Sequence, residues 1–186
     1  MTFDRMAEAM GLAQADMHTY GAEDMEELIS ILGALDRANG DMEPWLVRGS
    51  RWESVIALPR KRLGGLSSSE IPMSPGVLVF FDADVPVFVG EGTGRNGLRG
   101  RLRQHRATGS NLSSSTLRAS VAVEVLGVSR WTARQRPGVL LDSMVEEVNE
   151  VVAEFEVAWI ECETPEAAHE LKHQLWMQYK PEHNIL

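Results

Sequence analysis

A mixed α/β fold of the α+β kind, with a small, mostly antiparallel three-stranded sheet flanked by helices, is what this sequence predicts. Three observations carry that expectation. Two apolar runs, Val77 to Phe81 and Val85 to Val89, are separated by the turn-prone Asp82, Ala83 and Asp84, the pattern of a β-hairpin. A third strand-like segment, Glu156 to Cys162, lies far downstream. Between these segments and after them the apolar spacing lengthens to three or four residues, as a helix requires.

Thr2 to Gly40 has the texture of two amphipathic helices, with Met6, Met10 and Met17 in the first. Met25, Leu28, Ile29, Leu32 and Leu35 belong to the second, which stops at Asn39-Gly40. Glu43 to Leu63 is mixed, anchored on Trp45, Trp52, Val55 and Ile56, and it leaves through Arg60, Lys61 and Arg62. Gly64 to Pro75 is rich in Gly, Ser and Pro and reads as a linker. The expected organisation is thus an acidic helical region over 1–63, a linker over 64–75 and an α/β domain over 76–186. Within that domain Gly90 ends the second strand, and helices are expected over Leu98–His105, over Ser115–Leu126 with Ser115 near the N-cap, and over Val139–Phe155. After the third strand, Thr164-Pro165-Glu166 supplies a capping hydroxyl, a first-turn proline and an acid at the positive end of a last helix, which Pro181 stops.

With 186 residues, 44% apolar and 24% charged, the composition is that of a folded globular chain and excludes a disordered or fibrous one. The longest apolar run, Val77 to Phe81, is far short of the ~20 residues a membrane helix needs. Asp4 and Glu8 stand where a signal peptide would be basic, so a soluble, cytoplasmic protein without a membrane partner is expected. The single cysteine, Cys162, sits near Trp159 and Ile160 and is expected to fill core space rather than do redox chemistry.

The net charge of −9 conceals a partition. Residues 1–46 hold ten acids against Arg5 and Arg37. Thr93 to Arg136 holds nine arginines, no lysine and one acid, Glu124, and Pro137 to Glu163 then holds eight acids and no base. A single charge run is usually a solvated face. An all-arginine block, however, suits phosphate, because the guanidinium fork can bind two phosphate oxygens at once.

Gly92-Thr93-Gly94-Arg95-Asn96-Gly97 matches G-x-G-x-x-G, but a hairpin precedes it and no acid follows until Glu124, so a dinucleotide site is excluded. A glycine loop at a helix start can still offer backbone N–H groups to a phosphate, although a plain turn is the commoner use. No nucleophile elbow or catalytic triad pattern occurs. His169 and His173, four apart on the last helix, lack a third ligand and read as a solvated face rather than a zinc site.

A wider constellation is more informative. Gly76-Val77-Leu78 on one hairpin strand, Phe88-Val89-Gly90 on the other, Leu98-x-x-Arg101-Leu102-x-x-His105 on the next helix and Pro181-x-x-Asn184 near the end follow in that order. The stretch from Pro75 to Leu186 resembles the GIY-YIG nuclease family. The resemblance implies that Arg101 contacts the scissile phosphate, that His105 shares its helix face, and that Gly90 and Asn184 fill the family's glycine and asparagine positions. It also implies departures. Leu78 and Phe88 stand at the two tyrosine positions, removing the hydroxyls that activate or position water. Lys172 falls at the position of the metal-binding glutamate, where an ammonium opposes Mg²⁺ or Mn²⁺. Glu170, two residues earlier, is turned about 200° around the helix. Glu91 is another stray carboxylate.

Three functions follow as expectations. The first is a GIY-YIG-like protein, degenerate at its catalytic centre, that binds nucleic-acid phosphate, with DNA ahead of RNA, through Arg95, Arg99, Arg103, Arg106, Arg118 and Asn184 together with Arg101. The second is an active, divergent endonuclease using Arg101 and His105, with Glu170 or Glu91 holding Mg²⁺ or Mn²⁺. The third is a protein-interaction module in which the acidic N-terminal helices dock a partner or mask the arginines.

Overall fold

The computed structural model describes residues 50–184. The chain divides between Glu43 and Pro44 into two compact units, and the described residues all belong to the second. The acidic helices expected over residues 2–40 lie outside the described residues.

The elements, in order, are α1 (Arg51–Ile56), β1 (Lys61–Arg62), β2 (Gly76–Asp82), β3 (Val85–Gly92), α2 (Gly97–His105), α3 (Thr116–Leu126), α4 (Arg130–Ala133), α5 (Asp142–Glu154), β4 (Glu156–Glu161) and α6 (Pro165–Gln178), with two 3₁₀ turns between β1 and β2, one before α3 and one after α6. The fold is α+β as expected, but its sheet has four strands, in the order β1-β4-β2-β3, and every pairing is antiparallel. The added strand is β1, whose two residues pair Lys61 with Val157 and Arg62 with Glu156. Two basic residues carry no period-two apolar signal, so only the pairing reveals the strand.

The hairpin of β2 and β3 turns at Ala83-Asp84, where Ala83 takes φ 49°. β2 is the central strand and is buried on both faces, which is why its sequence runs apolar without alternation. Leu78 and Phe80, with Phe88 from β3, face a core built with α2, α3 and α5. Val77, Val79, Phe81 and Val89 face a second core that includes Trp52 of α1 and Ala168 and Leu175 of α6. The partly buried Cys162 packs against this second core, where burial pushes its thiol pKa up.

The stretch from Gly64 to Pro75 belongs to the folded unit instead of linking two units. Its 3₁₀ turns, Leu63–Gly65 and Ser68–Glu70, give the irregular backbone that the Gly and Ser content signals, yet Leu66 and Ile71 are buried in the first core. Apolar anchors between the breakers, more than the breakers themselves, decide where such a segment goes. The folded unit also extends upstream of residue 64. Trp52 is fully buried, donates its indole N–H to the Leu175 carbonyl at 3.0 Å and meets the Tyr179 ring edge-on. The last expected helix start holds to the residue, with the Thr164 hydroxyl capping Ala167 N–H at 3.1 Å and Pro165 in the first turn. The helix expected from Val139 begins at Asp142, and the four-residue α4 was too short for any periodic signal. Among the described residues no helix is long and apolar enough to cross a membrane.

Because Trp52 is part of this core, Trp52→Ala is expected to destabilise the protein by about 3–5 kcal/mol. Urea unfolding followed by far-UV circular dichroism checks this. A loss below about 1 kcal/mol, the level of a surface change, would remove α1 from the folded unit.

Candidate functional site

The start of α2 is locked to the sheet before any functional group appears. Gly97 sits at φ 49°, and a Cβ there would lie 2.1 Å from the Ser74 carbonyl. At Gly76 a Cβ would lie 2.2 Å from the Ile160 carbonyl and 2.8 Å from Leu98. With both side chains absent, the Pro72–Ser74 backbone folds over the first turn of α2. Leu98 N–H donates to Ser74 O and Arg99 N–H to Pro72 O, each at 3.0 Å, while Gly97 N–H reaches Gly94 O at 2.8 Å. The first N–H groups of α2 are therefore already engaged within the protein and are not free to cradle a phosphate.

Seated this way, α2 carries Arg101 into an open cleft of ≈ 530 Å³ between the end of β3, α2 and α6. The cleft borders include Phe88, Glu91, Arg101, Lys172, Trp176 and Asn184. A neighbouring depression of ≈ 330 Å³ shares Glu91, Thr93 and Arg101 with it and adds Arg95 and Arg103. Among the described residues the two hollows thus carry Arg95, Arg101, Arg103 and Lys172 against one carboxylate, Glu91.

Arg101 is half-buried. Its Nη1 donates to Gln104 Oε1 at 3.0 Å and its Nη2 to Thr116 Oγ1 at 3.3 Å, while Nε is buried with no partner. Burial lowers its pKa, opposed by the field of Glu91, and the guanidinium remains a cation held by neutral acceptors. Lys172 is also half-buried, and no described residue forms an ion pair with it. Glu91 faces the cleft and meets His169 Nδ1 at 3.0 Å. Glu170 is exposed, does not border the cleft and accepts from Gln174, so it is not placed to serve as the catalytic or metal carboxylate. The face of α6 that borders the cleft reads His169, Lys172, His173, Trp176, the i, i+3, i+4, i+7 stripe of one helix side, and Glu170 lies off it.

His105 does not share a reactive face with Arg101. It is fully buried, its ring edge-on to Phe80 and Phe88 at 5.2 Å from each, with Nδ1 2.8 Å from the Ser115 hydroxyl and Nε2 unpartnered. Burial, helped by the charges of Arg101 and Arg118, drives its pKa well below 6.5, so it is a neutral core side chain. Arg118 is likewise internal. It donates to Asn149 Oδ1 from Nη2 at 2.8 Å and from Nε at 3.2 Å, and to the Gly109 carbonyl at 2.8 Å, which ties α3 to α5 rather than to a ligand. Arg99 is spent on the Ile71 carbonyl at 2.8 Å, and Arg106 borders a different hollow of ≈ 230 Å³ with Thr108 and Asn149.

Asn184 borders the cleft, but its amide is committed to the sheet. Its Oδ1 accepts from Val89 N–H at 2.6 Å and its Nδ2 donates to Val89 O at 2.7 Å, closing the open side of edge strand β3. Leu78 and Phe88 sit in the first core. Gly90 pairs with Leu78, and a Cβ there would strike the Phe88 ring at 2.7 Å. Among the described residues no group of three or more His, Cys, Asp or Glu side chains is gathered to hold a metal ion. With Lys172 in the cleft and Glu91, already beside His169, its one carboxylate among the described residues, the described residues do not fit a Mg²⁺ or Mn²⁺ centre.

Trp176 and His173 were not among the expected site residues. The signal that could have found them was their helical spacing from Lys172, which becomes meaningful only once α6 is known to turn that side toward Arg101. No protein-family model, curated protein or solved structure matches the chain.

His183 is also buried, and burial lowers its pKa against the opposing fields of Glu124, Glu182 and Asp82. His105 and His183 therefore bind protons more readily unfolded than folded, and the stability they allow above about pH 6.5 is lost as pH falls through that value. Urea midpoints are expected to drop between about pH 7 and pH 5, above the range where carboxylates titrate, and His105→Gln should flatten the profile. Asn184→Ala should cost about 1–3 kcal/mol by leaving the buried Val89 amide unpaired, with faster hydrogen exchange at Val89 N–H.

Proposed function

We propose that this protein binds nucleic-acid phosphate, DNA ahead of RNA, on a GIY-YIG-like scaffold whose metal centre and motif hydroxyls are absent. The observation that carries the reading is the pairing of Arg101 and Lys172 in one cleft. Two half-buried cations face the same space, and neither has a carboxylate bound to it among the described residues. Leaving two such cations in one partly desolvated cleft without a bound carboxylate is unfavourable unless an anion completes it. A phosphodiester supplies oxygens for the guanidinium and a charge for the ammonium. Arg95 and Arg103, exposed around the adjoining hollow, extend the positive surface in the manner of a strand-tracking groove.

Leu78, Phe88 and Lys172 support a binding role over a cleaving one. The first two offer no hydroxyl to a water, and the third places positive charge where a metal ion would sit. The endonuclease reading keeps one foothold, since Glu91 does border the cleft beside Arg101.

Fluorescence anisotropy with labelled DNA at several salt concentrations tests the proposal. The full-length protein should bind with salt-dependent affinity, and Arg101→Ala and Lys172→Ala should each weaken binding and reduce the slope of log K against log salt by about one. Binding that is absent, or indifferent to both substitutions, overturns the proposal. Incubation of the same DNA with Mg²⁺ or Mn²⁺ should give no cleavage. Cleavage by the wild type that Arg101→Ala abolishes would replace the binding role with an enzymatic one centred on Glu91.

A further inference from the structure

We infer that the cleft takes a nucleotide with its base unstacked, so that the protein's substrate class is single-stranded or locally opened nucleic acid rather than continuous duplex. The inference rests on the phosphate reading of the same cleft and adds what the rest of the cleft does. Its borders are chemically divided, with Arg101 and Lys172 as the cationic part and Trp176 as the aromatic part, the buried Phe88 ring belonging to the core behind it. Phosphate recognition has no use for an aromatic wall.

Trp176 is well suited to a planar partner. It lies one turn of α6 beyond Lys172 on the same side of the helix, is partly exposed, and no aromatic ring of the described residues stacks on it. The Nζ of Lys180 lies over one face of the Trp176 ring, 5.0 Å from its centroid, in cation–π contact, so a base would stack on the other face or displace this flexible side chain. At ≈ 530 Å³ the cleft has the size of a small-molecule site and can admit one nucleotide.

A base inside a duplex is covered on both faces and cannot lie against such a wall while its phosphate reaches Arg101 and Lys172. An unpaired base can, and stacking on an aromatic side chain tolerates any base because each has a π-face. The proposed contact is non-covalent. The phosphate meets the guanidinium and the ammonium, and the attached base lies on Trp176.

Anisotropy measurements with the full-length protein at one salt concentration provide the test, using a short single strand of mixed sequence, its duplex, and the same strand with a central run of abasic sites. Wild type should bind the intact strand more tightly than the duplex, and removing the bases should weaken it roughly five- to one-hundredfold. Trp176→Ala should weaken the intact strand by a similar factor while shrinking the penalty for abasic sites toward unity, and Trp176→Phe should restore most of the loss. Equal affinity for intact and abasic strands in the wild type overturns the inference without relying on any variant. If Arg101→Ala still weakens binding in that case, the phosphate reading survives alone. If no DNA binds at all, both fall.

Discussion

Everything about the cleft depends on a close backbone approach at the mouth of the sheet. Gly76 and Gly92 face each other at the ends of β2 and β3, and Gly97 opens α2 immediately beneath the Met73–Ser74 backbone. No side chain fits at these crossings. Their absence lets Leu98 pack against the sheet and lets the carbonyls of Pro72 and Ser74 take the first N–H groups of the helix. One turn later the same helix delivers Arg101. A methyl group at Gly76 or Gly97 would push α2 outward and the guanidinium with it, so the position of the charge is a packing consequence before it is an electrostatic one.

The arginine block is divided by burial into two kinds of work. Arg118 and Arg99 satisfy backbone carbonyls and an amide inside the protein, where a planar fork of donors can bridge elements that a lysine could not. Arg101, Arg95 and Arg103 border the hollows. Arg101 lies between these extremes. Its Nη groups are held by Gln104 and Thr116, which fixes the guanidinium without neutralising it. His105 belongs wholly to the interior. Two nearby arginines and an apolar cage keep it uncharged, and its service is to fill space between Phe80 and Phe88 while bonding Ser115 at the start of α3.

The closing turn completes the site from the opposite side. Pro181 accepts from Asn184 N–H, and the Asn184 amide then substitutes for a missing neighbouring strand at Val89. An edge strand left open beside a charged cleft would be a point of fraying, and the side-chain amide protects it without adding a strand that would cover the cleft. The sheet edge, α2 and the stripe of α6 consequently face one another across open space. That arrangement places Arg101, Lys172 and Trp176 on one cleft.

The hairpin, the last helix with its Thr164 cap and the Ser115 cap of α3 could be seen in the sequence, because each rests on local chemistry: apolar runs broken by turn residues, or a hydroxyl three residues ahead of an amide that it accepts from. Arg101 stands out through the family resemblance alone, since by pattern it is one of three arginines, with Arg99 and Arg103, on the helix after the glycine loop. Burial could not be seen. His105 and Arg118 look like surface residues in a basic stretch, and only long-range packing against Phe80, Phe88 and Asn149 turns them inward. Glu170 and Lys172 are two residues apart in sequence, yet the rotation of α6 against β3 sends one to solvent and the other into the cleft. The strand at Lys61–Arg62 and the buried Leu66 and Ile71 escaped for the same reason. Sequence alone determined the longer helices and strands and where the positive charge concentrates, since those follow from neighbours along the chain. Tertiary structure decided which charges remain free to meet a ligand, because that depends on partners tens of residues away.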